Sequence, residues 1–206
     1  MTKATGETPM LNRLSENIAD FIFSQGCFER KLLPVYSYGL SLFISSLLGV
    51  VLVLSAGILT GNFLKAVLFL LAFIFLRLYT GGLHFNSFIL CNTITTLTFL
   101  AALTAENFIS QLKESNIVYS AFMLFSVTVT LTLSPVSHPN KPLSFQDKRR
   151  FRLISALILL AHYMLYTILK GIIVTEIIIV TDFISSAYII IGLLKNTKER
   201  RDFDET

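Results

Sequence analysis

Residues 38–60 read YGLSLFISSLLGVVLVLSAGILT, 23 residues without a charged side chain. The hydrocarbon core of a bilayer is about 30 Å thick and takes roughly 20 apolar helical residues to cross. This stretch is long enough. Working outward from it, five more apolar runs reach or approach the same length, at 63–83, 88–104, 116–133, 153–169 and 174–194. The runs at 88–104, 116–133 and 153–169 are short, so they borrow flanking residues or sit in a locally thinned bilayer. The period-2 alternation of a transmembrane barrel is absent, and helices satisfy their own backbone in lipid. The composition agrees. Of 206 residues, 53% are hydrophobic and only 15% charged, with a mean hydropathy of +0.69, where an ordinary soluble domain carries about 25% charged residues. The expected fold is an all-α integral membrane protein of about six transmembrane helices. It forms one membrane domain over 1–206, with an N-terminal segment at 1–37, a helical bundle at 38–194 and a tail at 195–206.

Ahead of the first span, Leu11, Leu14, Ile18, Phe21 and Ile22 fall on one side of a helix, with Arg13, Glu16, Asn17 and Asp20 on the other. Residues 10–25 therefore read as an amphipathic helix, lying in the membrane interface or packed on the protein itself. Gly26 and Pro34 bracket a break before the first span. The longest polar connection is 134–152. Ser134-Pro135 ends the fourth span, Pro139 and Pro142 hold the loop extended, and the capping-box-like spacing of Ser144 and Asp147 starts the fifth helix before the membrane.

Thirteen of the 17 basic residues fall into three groups. Lys3, Arg13, Arg30 and Lys31 precede the spans. Lys141, Lys148, Arg149, Arg150 and Arg152 lie in the 134–152 connection, and Lys195, Lys198, Arg200 and Arg201 follow the last span. Four spans separate the first group from the second and two separate the second from the third. Both numbers are even, so all three groups can face the cytoplasm together, as the positive-inside rule asks. Both termini are then cytoplasmic, the 84–87 turn is on the same side and the 105–115 connection is outside. Basic residues placed this way set orientation and are a poor argument for nucleic acid. No cleavable signal peptide is visible. With two cysteines, Cys27 and Cys91, and no ligand cluster near either, a disulfide scaffold or a metal site is not expected.

The chemistry-bearing stretch is Arg77-Leu-Tyr-Thr-Gly81-Gly82-Leu-His84-Phe-Asn86-Ser87-Phe-Ile-Leu-Cys91. Spacings of seven and seven put arginine, histidine and cysteine on one face of a straight helix. Seven residues also rise about 10.5 Å, too far for an imidazole to reach a thiol. A catalytic pairing therefore needs a bend, which Gly81-Gly82 and Asn86-Ser87 can supply. If Asn86 or Ser87 caps the third span, Cys91 sits about one turn inside its N-terminus. There the helix dipole and a neighbouring imidazole both favour the reactive form of the thiol. Each residue also has a plain reading. A cysteine in an apolar helix is usually a small hydrophobe, Gly-Gly can serve close packing, and Arg77 can snorkel to the interface.

Arg77, Gly81, Gly82, His84, Ser87 and Cys91 together resemble the signature of the accessory gene regulator B (AgrB) family, membrane endopeptidases that process quorum-sensing propeptides. The loop segment His138-Pro139-Asn140-Lys141-Pro142 is also similar to that family's proline-rich basic loop, and the similarity covers most of the chain. The resemblance implies a catalytic dyad of His84 and Cys91. Arg77 and Gly82 would also be needed for activity, and Ser87 belongs to the same motif. It implies a short AgrD-like propeptide as substrate, cleaved through a Cys91 acyl-enzyme and closed to a thiolactone or lactone. It implies no cofactor, a place in the bacterial cell membrane, and the bilayer as surroundings. A homodimer is a further candidate assembly. Lys141, Lys148, Arg149 and Arg150 form a basic loop suited to attracting an acidic peptide.

Other polar residues lie in or near apolar runs. Glu176 and Asp182 are functional candidates by default, and Asp182 is a candidate for orienting His84. His162 reads as a buried hydrogen-bonding group, Cys27 as a free thiol and His138 as solvent-exposed. The competing functions are a small peptide transporter or exporter and a non-enzymatic membrane scaffold. The chain shows no inverted repeat with paired broken helices, which argues against the transporter.

Overall fold

The computed structural model describes residues 9–25, 30–81, 87–136, 144–170 and 174–204, with the backbone alone at 9–12, 30, 196 and 198–204. Among these residues there are seven α-helices: α1 (Pro9–Ser24), α2 (Leu33–Leu59), α3 (Phe63–Thr80), α4 (Phe88–Ser110), α5 (Ser115–Leu133), α6 (Phe145–Leu169) and α7 (Glu176–Asp204). A short 3-10 turn, Arg30–Leu32, precedes α2. No strand occurs among the described residues, only an isolated bridge between Gly81 and Val136. Helices α2 to α7 are each long and apolar enough to cross a membrane, so the expected class and span count stand. The surface has the character lipid requires: Leu71, Phe75, Leu78, Leu124, Leu153 and Ile168 are all exposed. Serine and threonine hydroxyls in the spans return to the carbonyl four residues back, as in Ser46 to Leu42, Thr128 to Leu124 and Ser155 to Phe151. That habit satisfies a hydroxyl without a partner helix.

Helix boundaries differ from the sequence reading in two instructive places and agree in a third. Helix α2 begins at Leu33, so Pro34 lies inside its first turn and does not precede it as a breaker. A first-turn proline costs little, because its missing N–H would have had no intrahelical partner. Helix α4 runs on to Ser110 through the acidic Glu106. Glu106 is buried and its carboxylate accepts from the Lys65 ammonium at 2.5 Å, and Lys65 also donates to Asn107 at 3.1 Å. A paired charge can stay in an apolar setting where a lone one would end the span. Helix α6 begins at Phe145, as the capping spacing indicates. Ser144 is the N-cap and accepts the Asp147 N–H at 3.1 Å, while its hydroxyl donates to the Asp147 carboxylate at 2.7 Å.

The chain forms two compact units. The first comprises residues 1–56 and 85–97, and so holds α1, most of α2 and the start of α4. Within it, Ser15, beside the apolar face of α1, shares a 2.6 Å hydrogen bond with Ser41 of α2, both buried. Asn92 of α4 donates to the Ser45 carbonyl at 3.1 Å. The amphipathic pattern of α1 therefore serves packing at Ser15 and Ala19, while Leu14 and Phe21 stay exposed.

The second unit comprises 57–84 and 98–206. Its best-covered span is α7, with Ile177, Ile179, Val180 and Ile189 fully buried. Phe183 stacks on Phe122 of α5 at 4.0 Å between ring centroids. Further along both helices, Ile189 packs with Val129 and Val136. The order of those contacts means α5 and α7 run in the same direction, as two spans separated by one return span must. The ends of α3 and α5, the start of α6 and the Lys195 end of α7 thus share one end of this unit. Lys148, Arg149, Arg150 and Arg152 of α6 and Lys195 of α7 lie at that end.

Candidate functional site

The motif residues divide between the two units. In the second, α3 stops at Thr80 because Gly81 takes φ +66° and ψ −145°, with its N–H still donating to the Arg77 carbonyl at 3.1 Å. Side chains other than glycine rarely adopt such a φ. The next carbonyl, Thr80 O, accepts the Val136 N–H at 2.9 Å. A Cβ at position 81 would lie 2.7 Å from the Val136 carbonyl oxygen. So the first glycine of the Gly-Gly pair is fixed twice, by its backbone angle and by the close approach of another segment.

That segment is held in turn. Ser134 is buried, and its carbonyl accepts from Arg152 Nε at 2.9 Å. Phe151, next to Arg152 on α6, meets the Tyr79 ring edge-on at 6.1 Å. Arg152 therefore differs in role from its basic neighbours: it ties the start of α6 to the exit of α3, while Lys148, Arg149 and Arg150 stay at the surface or close to it. Arg77, in the last turn of α3, lays its guanidinium over the Phe73 ring at 5.3 Å. A cation suits that helix end.

In the first unit, α4 starts at Phe88, immediately after Ser87. The Ser87 carbonyl accepts the Cys91 N–H at 3.0 Å, which places Cys91 in the first turn. Cys91 is a free, half-buried thiol, and its carbonyl accepts from Thr95 Oγ1 at 2.9 Å. The expected interruption of the helix between Arg77 and Cys91 is present, and the new helix begins where the spacing indicates. Gly82, His84, Asn86, Cys27, His138 and Lys141 lie outside the described residues. Among the described residues, no group of His, Cys, Asp or Glu could hold a metal ion.

Asp182 has another partner. It is fully buried, and its two carboxylate oxygens lie 3.0 and 3.1 Å from His162 Nδ1, as the reading of His162 as a buried hydrogen-bonding group anticipates. Glu176 opens α7, where a carboxylate favours the positive end of the helix. The sequence reading gave no role to Thr80, Val136 or Ser185, and counted Arg152 only among the basic residues of a loop. Polar residues at 181, 182, 185 and 186 of an apolar span form one stripe of α7, a signal that could have drawn attention to Ser185.

Comparison with known proteins places the sequence in a family. Residues 15–196 match the accessory gene regulator B family, AgrB. The chain belongs to the AgrB family. It is similar to the protein named "Putative AgrB-like protein" from Clostridium perfringens strain SM101, with 24% identity over 165 residues that cover 78% of this chain and 77% of that protein. It is also similar to "Putative AgrB-like protein 2" from Clostridium perfringens strain 13, at 23% identity over 165 residues and the same coverage. No solved structure matches the chain. Family membership and six apolar spans together support a multi-pass membrane protein with a role in AgrB-type processing of quorum-sensing peptides.

Proposed function

We propose that the chain is a membrane cysteine endopeptidase that cuts a short AgrD-like propeptide and promotes its cyclisation. The supporting observation is the interruption of the helix between Arg77 and Cys91: α3 ends at Thr80 and α4 begins at Phe88, with Cys91 in its first turn. A continuous helix would hold residues 84 and 91 about 10.5 Å apart along its axis, and the dyad requires them closer.

In this reading His84 takes the thiol proton and Cys91 Sγ attacks the scissile carbonyl carbon. The tetrahedral intermediate collapses as its C–N bond breaks. His84 returns the proton to the leaving amine, and the C-terminal part of the propeptide departs. The remaining peptide is held as a thioester on Cys91. A cysteine or serine within it attacks that thioester as His84 takes its proton, the bond to Cys91 Sγ breaks with Cys91 leaving as the thiolate, and a thiolactone or lactone ring closes. Arg77, Gly82 and Ser87 support substrate or the oxyanion. Water must be kept from the thioester, which suits a site at the membrane edge. The termini and the 134–152 connection face the cytoplasm of the bacterial cell.

The test is to incubate the purified protein in a bilayer with its propeptide and weigh the products. The reading requires a released C-terminal fragment and an N-terminal product lighter by one water than the hydrolysed form. An intact propeptide would reject it.

The basic loop gives a second expected result. Neutralising Lys148, Arg149 and Arg150 together to glutamine should raise KM several-fold for an acidic propeptide with little change in kcat, since exposed charge steers encounter more than it affects chemistry. The effect should shrink in high salt. These charges also set orientation, so topology is verified first by cysteine labelling. Unchanged KM in a correctly oriented variant would remove the loop from substrate capture.

A further inference from the structure

At the end of the second unit where α3 exits, Phe73, Arg77, Thr80, Gly81, Ser185 and Tyr188 line a small cleft with room for little more than one oxygen-sized group. Most of its polar atoms are committed. The Thr80 hydroxyl donates to the Leu76 carbonyl at 3.0 Å. The Tyr188 hydroxyl shares a 2.5 Å hydrogen bond with Thr98. The exception is Ser185. Its side chain is buried, with the residue only 5% exposed, and its Oγ has no hydrogen-bond partner among the described residues. Its neighbours on α7 show the usual solution: Thr181 donates to the Ile177 carbonyl at 2.6 Å and Ser186 to the Asp182 carbonyl at 2.9 Å. A buried hydroxyl left unpaired costs stability on the order of a hydrogen bond, and this one lines a cleft that Arg77 also lines.

We propose that this cleft is a carboxylate subsite. It receives one oxygen of a propeptide carboxylate, with Ser185 Oγ–H as hydrogen-bond donor and Arg77 as counter-charge. The proposal rests on the reading of the chain as a propeptide-processing enzyme and adds to it a specificity determinant on α7, far from the motif in sequence. The chemistry selects the ligand. The uncommitted hydroxyl of Ser185 is a donor, Arg77 brings a permanent positive charge, and among the described residues that line the cleft none is acidic. An aromatic group exceeds the space, and among anions the carboxylate is the one that an unmodified peptide substrate carries. A carboxylate oxygen fits both the size and the charge.

The test uses the full-length protein in bilayers and steady-state kinetics. Ser185→Ala should raise KM by about tenfold, the scale of a hydrogen bond to a charged group, with kcat within about twofold. Its thermal stability should be unchanged or higher, because the hydroxyl removed has no partner to lose. The peptide arms locate the carboxylate. One peptide has an amidated C-terminus, and the others replace each Asp or Glu in turn by its amide. One of these should raise KM for the wild type by a similar factor and make it insensitive to Ser185→Ala. Unchanged KM for Ser185→Ala would overturn the subsite, as would a rise of equal size on every peptide or a loss of stability with KM intact. Those outcomes leave the peptidase reading standing, whereas cleavage by a Cys91→Ala variant would remove that reading and the subsite with it.

Discussion

Cys91→Ala is expected to abolish propeptide cleavage, lowering the rate by roughly 10⁴-fold or more, as removal of a covalent nucleophile does. The sulfur is the atom that forms the acyl bond, and nothing in the first turn of α4 can replace it. The fold should not notice. Cys91 is half-buried, and its contacts to Ser87 and Thr95 run through its backbone N–H and carbonyl, which alanine keeps. Alanine also has the higher helix propensity. Membrane levels should therefore match the wild type while the released tail fragment disappears from the mass spectrum. Cys27→Ala should retain nearly full activity, which separates the nucleophile from a general need for thiols.

Gly81→Ala is expected to lower activity by about 100-fold, the scale of an error of about 1 Å in a catalytic constellation. Two costs combine. The backbone at φ +66° strains any side chain, by about 1–3 kcal/mol. The new Cβ would also meet the Val136 carbonyl oxygen at 2.7 Å. That oxygen belongs to backbone that Arg152 anchors at Ser134, so the contact is relieved only by moving the exit of α3, from which the chain continues to Gly82 and His84. Gly61→Ala is the control. Gly61 has a similar φ of +71°, but a Cβ added there would meet nothing within 4 Å. It should show a smaller loss of thermal stability, from the backbone strain alone, with cleavage close to wild type. Equal loss of activity in both variants would mean that backbone strain alone, and no specific contact at the turn, explains the effect.

Much of the fold is legible in the sequence because lipid imposes one requirement, a long apolar helix, that composition reveals directly. The α1 amphipathic pattern, the Ser144 cap and the start of α4 after Ser87 are local features with local causes, and all three could be read residue by residue. The extension of α4 through Glu106 could not, since it depends on Lys65, 41 positions away. The same holds for the site. Cys91 near a helix start and the break at Gly81 follow from spacing and glycine chemistry. The reason for Gly81 is the backbone of Val136, and the anchor for Val136 is Arg152, which in sequence is one more basic residue of a loop. Asp182 likewise has a partner that spacing does not reveal: only the packing of α6 on α7 brings His162 to it.

The most direct measurement is the intact mass of the protein after brief mixing with propeptide and acid quench, followed by peptide mapping. The proposed mechanism predicts an adduct with the mass of the propeptide's N-terminal part, attached to Cys91 and released by hydroxylamine as a thioester. It should be absent from Cys91→Ala and strongly reduced in His84→Ala. Release of the tail fragment at the wild-type rate by Cys91→Ala, or a hydroxylamine-sensitive adduct mapped to another residue, would contradict it.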